Sequence, residues 1–211
     1  MNIEKFIHVD SLEGMLKVPH GAKGIVLFAH GSGSSRLSPR NNFVADTWNK
    51  SGLGTLLIDL LSREEDEDYQ NRFNIELLTK RLTLAARWLT RQPETKNLPM
   101  GLFGASTGAA AALCVASIMS KEIKAVVSRG GRPDLALPIL HLVDAPTLLI
   151  VGGNDFDVIK LNQMAYEKLP GIKELEIIPE ATHLFEEPGC LEAAALSANK
   201  WFKKYLTTKT N

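Results

Sequence analysis

The sequence predicts an α/β fold with a mostly parallel central sheet, helices on both faces and no large lid. Three observations carry that expectation. Short apolar runs at 24–29, 55–58, 98–103, 123–127, 147–151 and 174–178 alternate with segments long enough for helices. The run Gly24-Ile-Val-Leu-Phe-Ala29 is apolar almost throughout, as a strand buried on both faces must be. Polar residues follow the ends of these runs (His30, Asp59, Ser106, Asp155 and His183), where parallel sheets place their ligands.

Taken in order, residues 3–9 and 14–18 suit an opening hairpin around Asp10-Ser11. A glycine- and serine-rich loop follows the first core strand, and a helix is expected over 39–50. Residues 59–71 read as an irregular polar segment. Over 72–91, Phe73, Leu77, Leu78, Leu82, Ala85, Trp88 and Leu89 recur every three or four positions, giving one helix with one buried stripe. A small-residue helix runs from Gly104–Gly108 through Met119. The longest excursion after a core strand is 129–145. Pro170-Gly171 stops a helix over 159–169, and a last helix spans 191–206, with Leu196, Trp201, Phe202 and Leu206 for packing.

A chain of 211 residues fits a single domain over 1–211. Its 24 basic and 24 acidic residues balance, which argues against nucleic-acid and membrane-surface partners. The acidic run 63–68 and the basic end 200–209 read as solvated surface. Cys114 and Cys190 show no pairing or metal spacing. The amino terminus lacks a secretory apolar stretch and no run is long enough to cross a bilayer, so a cytoplasmic location is expected.

Gly104-Ala-Ser-Thr-Gly108 stands between a short apolar run and an alanine-rich one. Gly-x-Ser-x-Gly leaving a strand and opening a helix is the pattern of a sharply turned nucleophilic serine. Side chains at 104 or 108 would collide across so tight a turn, and the new helix aims free amides at developing negative charge. Ser106 needs a base near neutral pH, and histidine suits that task. Of five histidines, His8, His20 and His141 lie in structural settings, and His30 orders the loop after its strand. His183 sits in a loop between the last strand and last helix, free to reach across the sheet end. Asp155, in a glycine-bearing turn after a strand, is the residue to orient it. Asp157 is the rival, and also suits a helix cap. Asp59 reads as structural.

The order serine, aspartate, histidine resembles that of the α/β-hydrolases, and the resemblance runs over nearly all of the chain. It is closest to the dienelactone-hydrolase-like branch. The residues that carry it are His30-Gly-Ser-Gly-Ser-Ser35, Gly104-Ala-Ser-Thr-Gly108, Gly152-Gly-Asn-Asp155 with Val158, and Ala181-Thr-His-Leu184. It implies Ser106, Asp155 and His183 as the catalytic group and the backbone amides of Ser32 and Thr107 as the oxyanion hole. Enzymes that open dienelactones carry a cysteine nucleophile where this chain has Ser106. The expected activity is therefore hydrolysis of small or medium carboxylic esters through an acyl-enzyme, with no cofactor and no metal. Thioester hydrolysis or acyl transfer by the same group is the alternative, and a binding protein without turnover is a third. Arg36 and Arg40 are placed to bind a substrate carboxylate or to tie their loop to Asp59 or Glu64. Arg129 and Arg132 are placed to line the rim of the site or, in the preferred reading, to pair within their loop. The expected partner is a small acyl substrate; the sequence leaves the oligomeric state open.

Overall fold

A computed structural model describes residues 1–206; of the basic end over 200–209, residues 200–206 are described, and the remainder, including Lys209, lies outside the described residues. Eight strands form one sheet: β1 (Ile3–Val9), β2 (Leu12–Val18), β3 (Ile25–Ala29), β4 (Gly54–Ile58), β5 (Met100–Ala105), β6 (Ile123–Arg129), β7 (Thr147–Gly152) and β8 (Lys173–Ile178). Their order across the sheet is β1-β2-β4-β3-β5-β6-β7-β8. β1 and β2 form an antiparallel hairpin, β2 pairs antiparallel with β4, and every later pairing is parallel.

The helices are α1 (Pro39–Lys50), α2 (Arg63–Glu67), α3 (Ile75–Leu89), α4 (Thr107–Ile118), α5 (Phe156–Lys168) and α6 (Cys190–Tyr205). Two 3₁₀ segments, Tyr69–Phe73 and Pro133–Leu142, join them. Strand residues alternate between two cores. In β3, Ile25, Leu27 and Ala29 join one apolar cluster with Leu78, Leu82 and Ala110, Ala111, Ala112 and Ala116 of α4, while Val26 and Phe28 join another with Trp48 and Phe202. All five residues of β3 are therefore buried, which is why that run carries no polar alternation.

Several expected boundaries shift. The polar segment before α3 contains α2, closed by a reciprocal cap: Ser62 Oγ accepts from Glu65 N–H, and Glu65 accepts from Ser62 N–H. α3 begins at Ile75 because Asn74 caps it through Leu77 N–H. Phe73 consequently falls outside the helix and is 43% exposed. Leu196 on α6 faces outward, whereas Trp201, Phe202 and Leu206 are buried. Residues 133–142 are not an open excursion; this segment covers α4, whose small side chains permit the close approach.

The chain runs from β3 out to β4 and then returns to place β5 on the other side of β3. A crevice opens at such a reversal, outside the carboxyl ends of the two central strands. Ala29 pairs with Gly104 there, so the loops leaving β3 and β5 rise side by side.

Candidate active site

Ser106 occupies the turn between β5 and α4 with φ 50° and ψ −123°. For a side chain with a Cβ this left-handed backbone is strained, on the order of 1–3 kcal/mol. The surroundings enforce it. Arg132 N–H and Ala109 N–H both donate to the Ser106 carbonyl, at 3.0 and 3.1 Å. A Cβ at Gly108 would lie 2.5 Å from the His30 carbonyl oxygen, and one at Gly104 would lie 2.7 Å from Ala109 N. The two glycines of the pentapeptide are thus required by contact, as the sequence reading expected. Gly31 serves the opposite wall: a Cβ there would come within 2.9 Å of Ser106 Cβ.

Asp155 is the N-cap residue of α5, yet its carboxylate caps no amide. Its Oδ2 lies 2.7 Å from His183 Nδ1, which fixes Nδ1 as the proton-bearing nitrogen and leaves Nε2 for a proton donor. Asp157 is exposed and lies 3.5 Å from Lys160, on the helix surface. His183 and Ser106 line the same cavity of about 220 Å³. The histidine loop is held from both ends. Phe185, with φ 57°, is only 1% exposed, and Glu187 accepts from Thr182 N–H at 3.0 Å and from Thr182 Oγ at 2.6 Å.

Both residues expected to donate to an oxyanion sit beside Ser106. Thr107 opens α4, where the first amides have no intrahelical partner. The Ser32 amide lines the cavity but donates to Thr107 Oγ1 at 3.1 Å, an engagement the sequence did not suggest. His30 accepts from Leu60 N–H through Nε2 and donates through Nδ1 to the Gly31 carbonyl, each at 2.9 Å. Burial pushes its pKa down, so it is a neutral brace between β3 and the loop after β4.

The arginines separate. Arg36 does not line the Ser106 cavity, which corrects its placement against substrate and leaves the other expectation, a tie of its loop to Asp59. Its guanidinium pairs with Asp59 and with Glu13 at 2.6 Å, and its amide donates to Asp59 Oδ1 at 2.6 Å. Arg40 does line the cavity and also holds Glu186 at 2.6 Å. Arg132 pairs with Asp134 through two 2.8 Å bonds. Arg129, expected to pair in its loop, instead lines the cavity, buried. Desolvation, with a smaller contribution from Arg40, pushes its pKa down to about 10, and it stays cationic near neutral pH. No cluster of three or more metal-ligating side chains occurs among the described residues.

Comparison with known proteins agrees with this architecture. A solved structure described as a dienelactone hydrolase from Anabaena variabilis is 54% identical, with a TM-score of 0.94, and the match covers 97% of this chain and 99% of that one. The chain belongs to the dienelactone-hydrolase-like branch of the α/β-hydrolases. A second match is to the BAAT / acyl-CoA thioester hydrolase C-terminal family, over residues 83–134, the stretch holding the turn at Ser106 of this α/β-hydrolase. Est1E from Butyrivibrio proteoclasticus shares the hydrolase fold at 14% identity and a TM-score of 0.80, covering 95% of this chain and 98% of that one. A curated relative from Mycobacterium tuberculosis, bearing the name of a phosphoribosyl transferase, is 55% identical over 193 residues. That match covers 92% of this chain but 44% of the relative, so the chain spans less than half the length of the curated protein it matches.

Proposed function

We propose that this hydrolase cleaves small or medium carboxylic esters with Ser106 as nucleophile. The observation that carries the reading is the 2.7 Å contact of Asp155 with His183 Nδ1, opening on the cavity that Ser106 lines. Ser106 Oγ would attack the acyl carbon while His183 Nε2 takes its proton, and the imidazolium formed is stabilised by Asp155. The carbonyl oxygen gains negative charge beside the amino end of α4, where the Thr107 amide is a donor. Collapse of this intermediate breaks the bond to the alcohol, which leaves with the proton from His183. Water, deprotonated by the same nitrogen, then attacks the acyl carbon; the acid departs and Ser106 recovers its proton. The Ser32 amide becomes the second donor if it turns from, or shares its hydrogen with, Thr107 Oγ1.

A cavity of about 220 Å³ is below the roughly 300–1,000 Å³ of drug-sized pockets, which supports a small acyl group. Thioester hydrolysis is the second reading, favoured by the match over residues 83–134. Phosphoribosyl transfer is not carried over, because that name belongs to a protein of which the match covers 44%. We further propose a cytoplasmic location, in keeping with two free cysteines.

Hydrolysis of p-nitrophenyl acetate beside acetyl-coenzyme A tests the reading. A burst of nitrophenol followed by slower turnover is expected, with Ser106→Ala lowering kcat by on the order of 10⁴-fold or more. Full activity in that variant would defeat the proposal, and turnover of the thioester alone would replace ester with thioester.

A further inference from the structure

Among the described residues, the Arg129 guanidinium is a buried cation without a counter-ion. The residue closes β6, is 8% exposed and borders the Ser106 cavity. Its Nη2 reaches Asn41 Oδ1 at 3.3 Å, a long bond to a neutral acceptor, and its Nη1 has no hydrogen-bond partner. The rings of Phe103 and Phe185 lie 5.5 and 5.9 Å from its Cζ and hold the group in place. Burying a charge this way is expensive, and a purely packing position would be filled more favourably by an uncharged side chain.

The rest of the cavity wall has the same polarity. Arg40 supplies a second guanidinium, and Ser34 and Ser38 supply hydroxyls. Ser38 is the N-cap of the 12-residue α1 and takes the Asn41 N–H at 3.3 Å, and Pro39 has no N–H, so the helix contributes its dipole to the space rather than a row of free amides. Among the described residues no carboxylate lines this cavity; Glu186 pairs with Arg40 from the exposed rim. Because Glu186 already offsets Arg40, Arg129 is, among the described residues, the one cation of this wall left to balance, and what separates a phosphate from a carboxylate is the number of donors around the space. A tetrahedral dianion offers three oxygens to two guanidinium groups and a helix end.

We propose that Arg129, with Arg40, Asn41 and the amino end of α1, is a subsite for a phosphate group carried by the acyl substrate. The phosphate is a recognition handle and undergoes no chemistry; it positions the ester beside Ser106. That the phosphate is carried by an acyl substrate and seats it beside Ser106 rests on the hydrolase reading above; the anion subsite itself does not.

The test uses the whole chain, with inorganic phosphate and acetate as competitors of p-nitrophenyl acetate hydrolysis and as ligands in thermal melting. Phosphate should compete at least about tenfold better than acetate, and Arg129→Met should weaken that competition about tenfold or more, as loss of a charge-assisted contact does. Arg129→Lys should restore part of it. Because the methionine removes an unpaired buried charge, Arg129→Met should melt at or above the temperature of the parent. Phosphate competing no better than acetate, or an Arg129→Met chain that melts lower yet keeps phosphate competition, would overturn the subsite. Labelling of Ser106 by a fluorophosphonate separates the two readings. A chain that labels without phosphate protection defeats the subsite alone. One that does not label, yet is stabilised by phosphate through Arg129, defeats the hydrolase reading alone.

Discussion

At the scale of single residues, the chemistry rests on side chains whose usual partners have been taken away. Asp155 stands where a helix cap stands but faces His183, and Arg129 stands where a loop ion pair was expected but faces the cavity. Arg36 is the converse, neutralised by Asp59 and Glu13. Arg36→Ala should therefore reduce kcat/KM equally on neutral and anionic esters while lowering the melting temperature; selective loss on anionic esters would return it to the substrate site. His30 gives a pH signature. Its folded pKa lies below the ordinary value of about 6.5, so above that pH both states hold a neutral ring and its contribution to stability is complete. As pH falls below that value the unfolded chain takes up the proton first, and stability drops by up to about 1.4 kcal/mol per pH unit for this one group. Urea unfolding between pH 7 and 5 should show a shallower fall in His30→Gln than in the parent.

Elements set how much of this was legible. The pentapeptide with Gly104 and Gly108 announced the tight turn at Ser106 because its constraint is local: a Cβ at either position meets backbone a few residues away or on the adjacent strand. α2 was missed although Ser62-x-x-Glu65 is a capping pattern; five residues dominated by acids show no apolar stripe. Ser62→Ala should destabilise by about 0.5–2 kcal/mol, as loss of an N-cap does, measured by denaturant unfolding. The Arg129 environment was not readable because it depends on Asn41, Phe103 and Phe185, which come from three separate elements. The histidine loop is likewise held across sequence: a Cβ at Gly152 would lie 2.7 Å from the Thr182 carbonyl oxygen. Gly152→Ala should displace that loop and lower kcat more than it raises KM, a split that steady-state kinetics would read.

For the whole molecule, alternating burial across the sheet and the reversal between β3 and β5 bring the two central loops together. The sequence carried this architecture in its alternation of apolar runs and helices, but not the covering role of residues 133–142, which have no helical periodicity. One core centres on Trp48, packed against Phe28, Phe103 and Phe202, with its Nε1 donating to the Ala195 carbonyl at 2.8 Å. Trp48→Ala should cost about 3–5 kcal/mol in calorimetry or denaturant unfolding, since it empties the junction of α1, α6 and the sheet. The proposal that this fold assembles a serine nucleophile is tested most directly by fluorophosphonate labelling followed by peptide mass spectrometry. The expected adduct lies on Ser106 and is lost in a folded His183→Ala chain; an unlabelled parent, or an adduct on another residue, would contradict it.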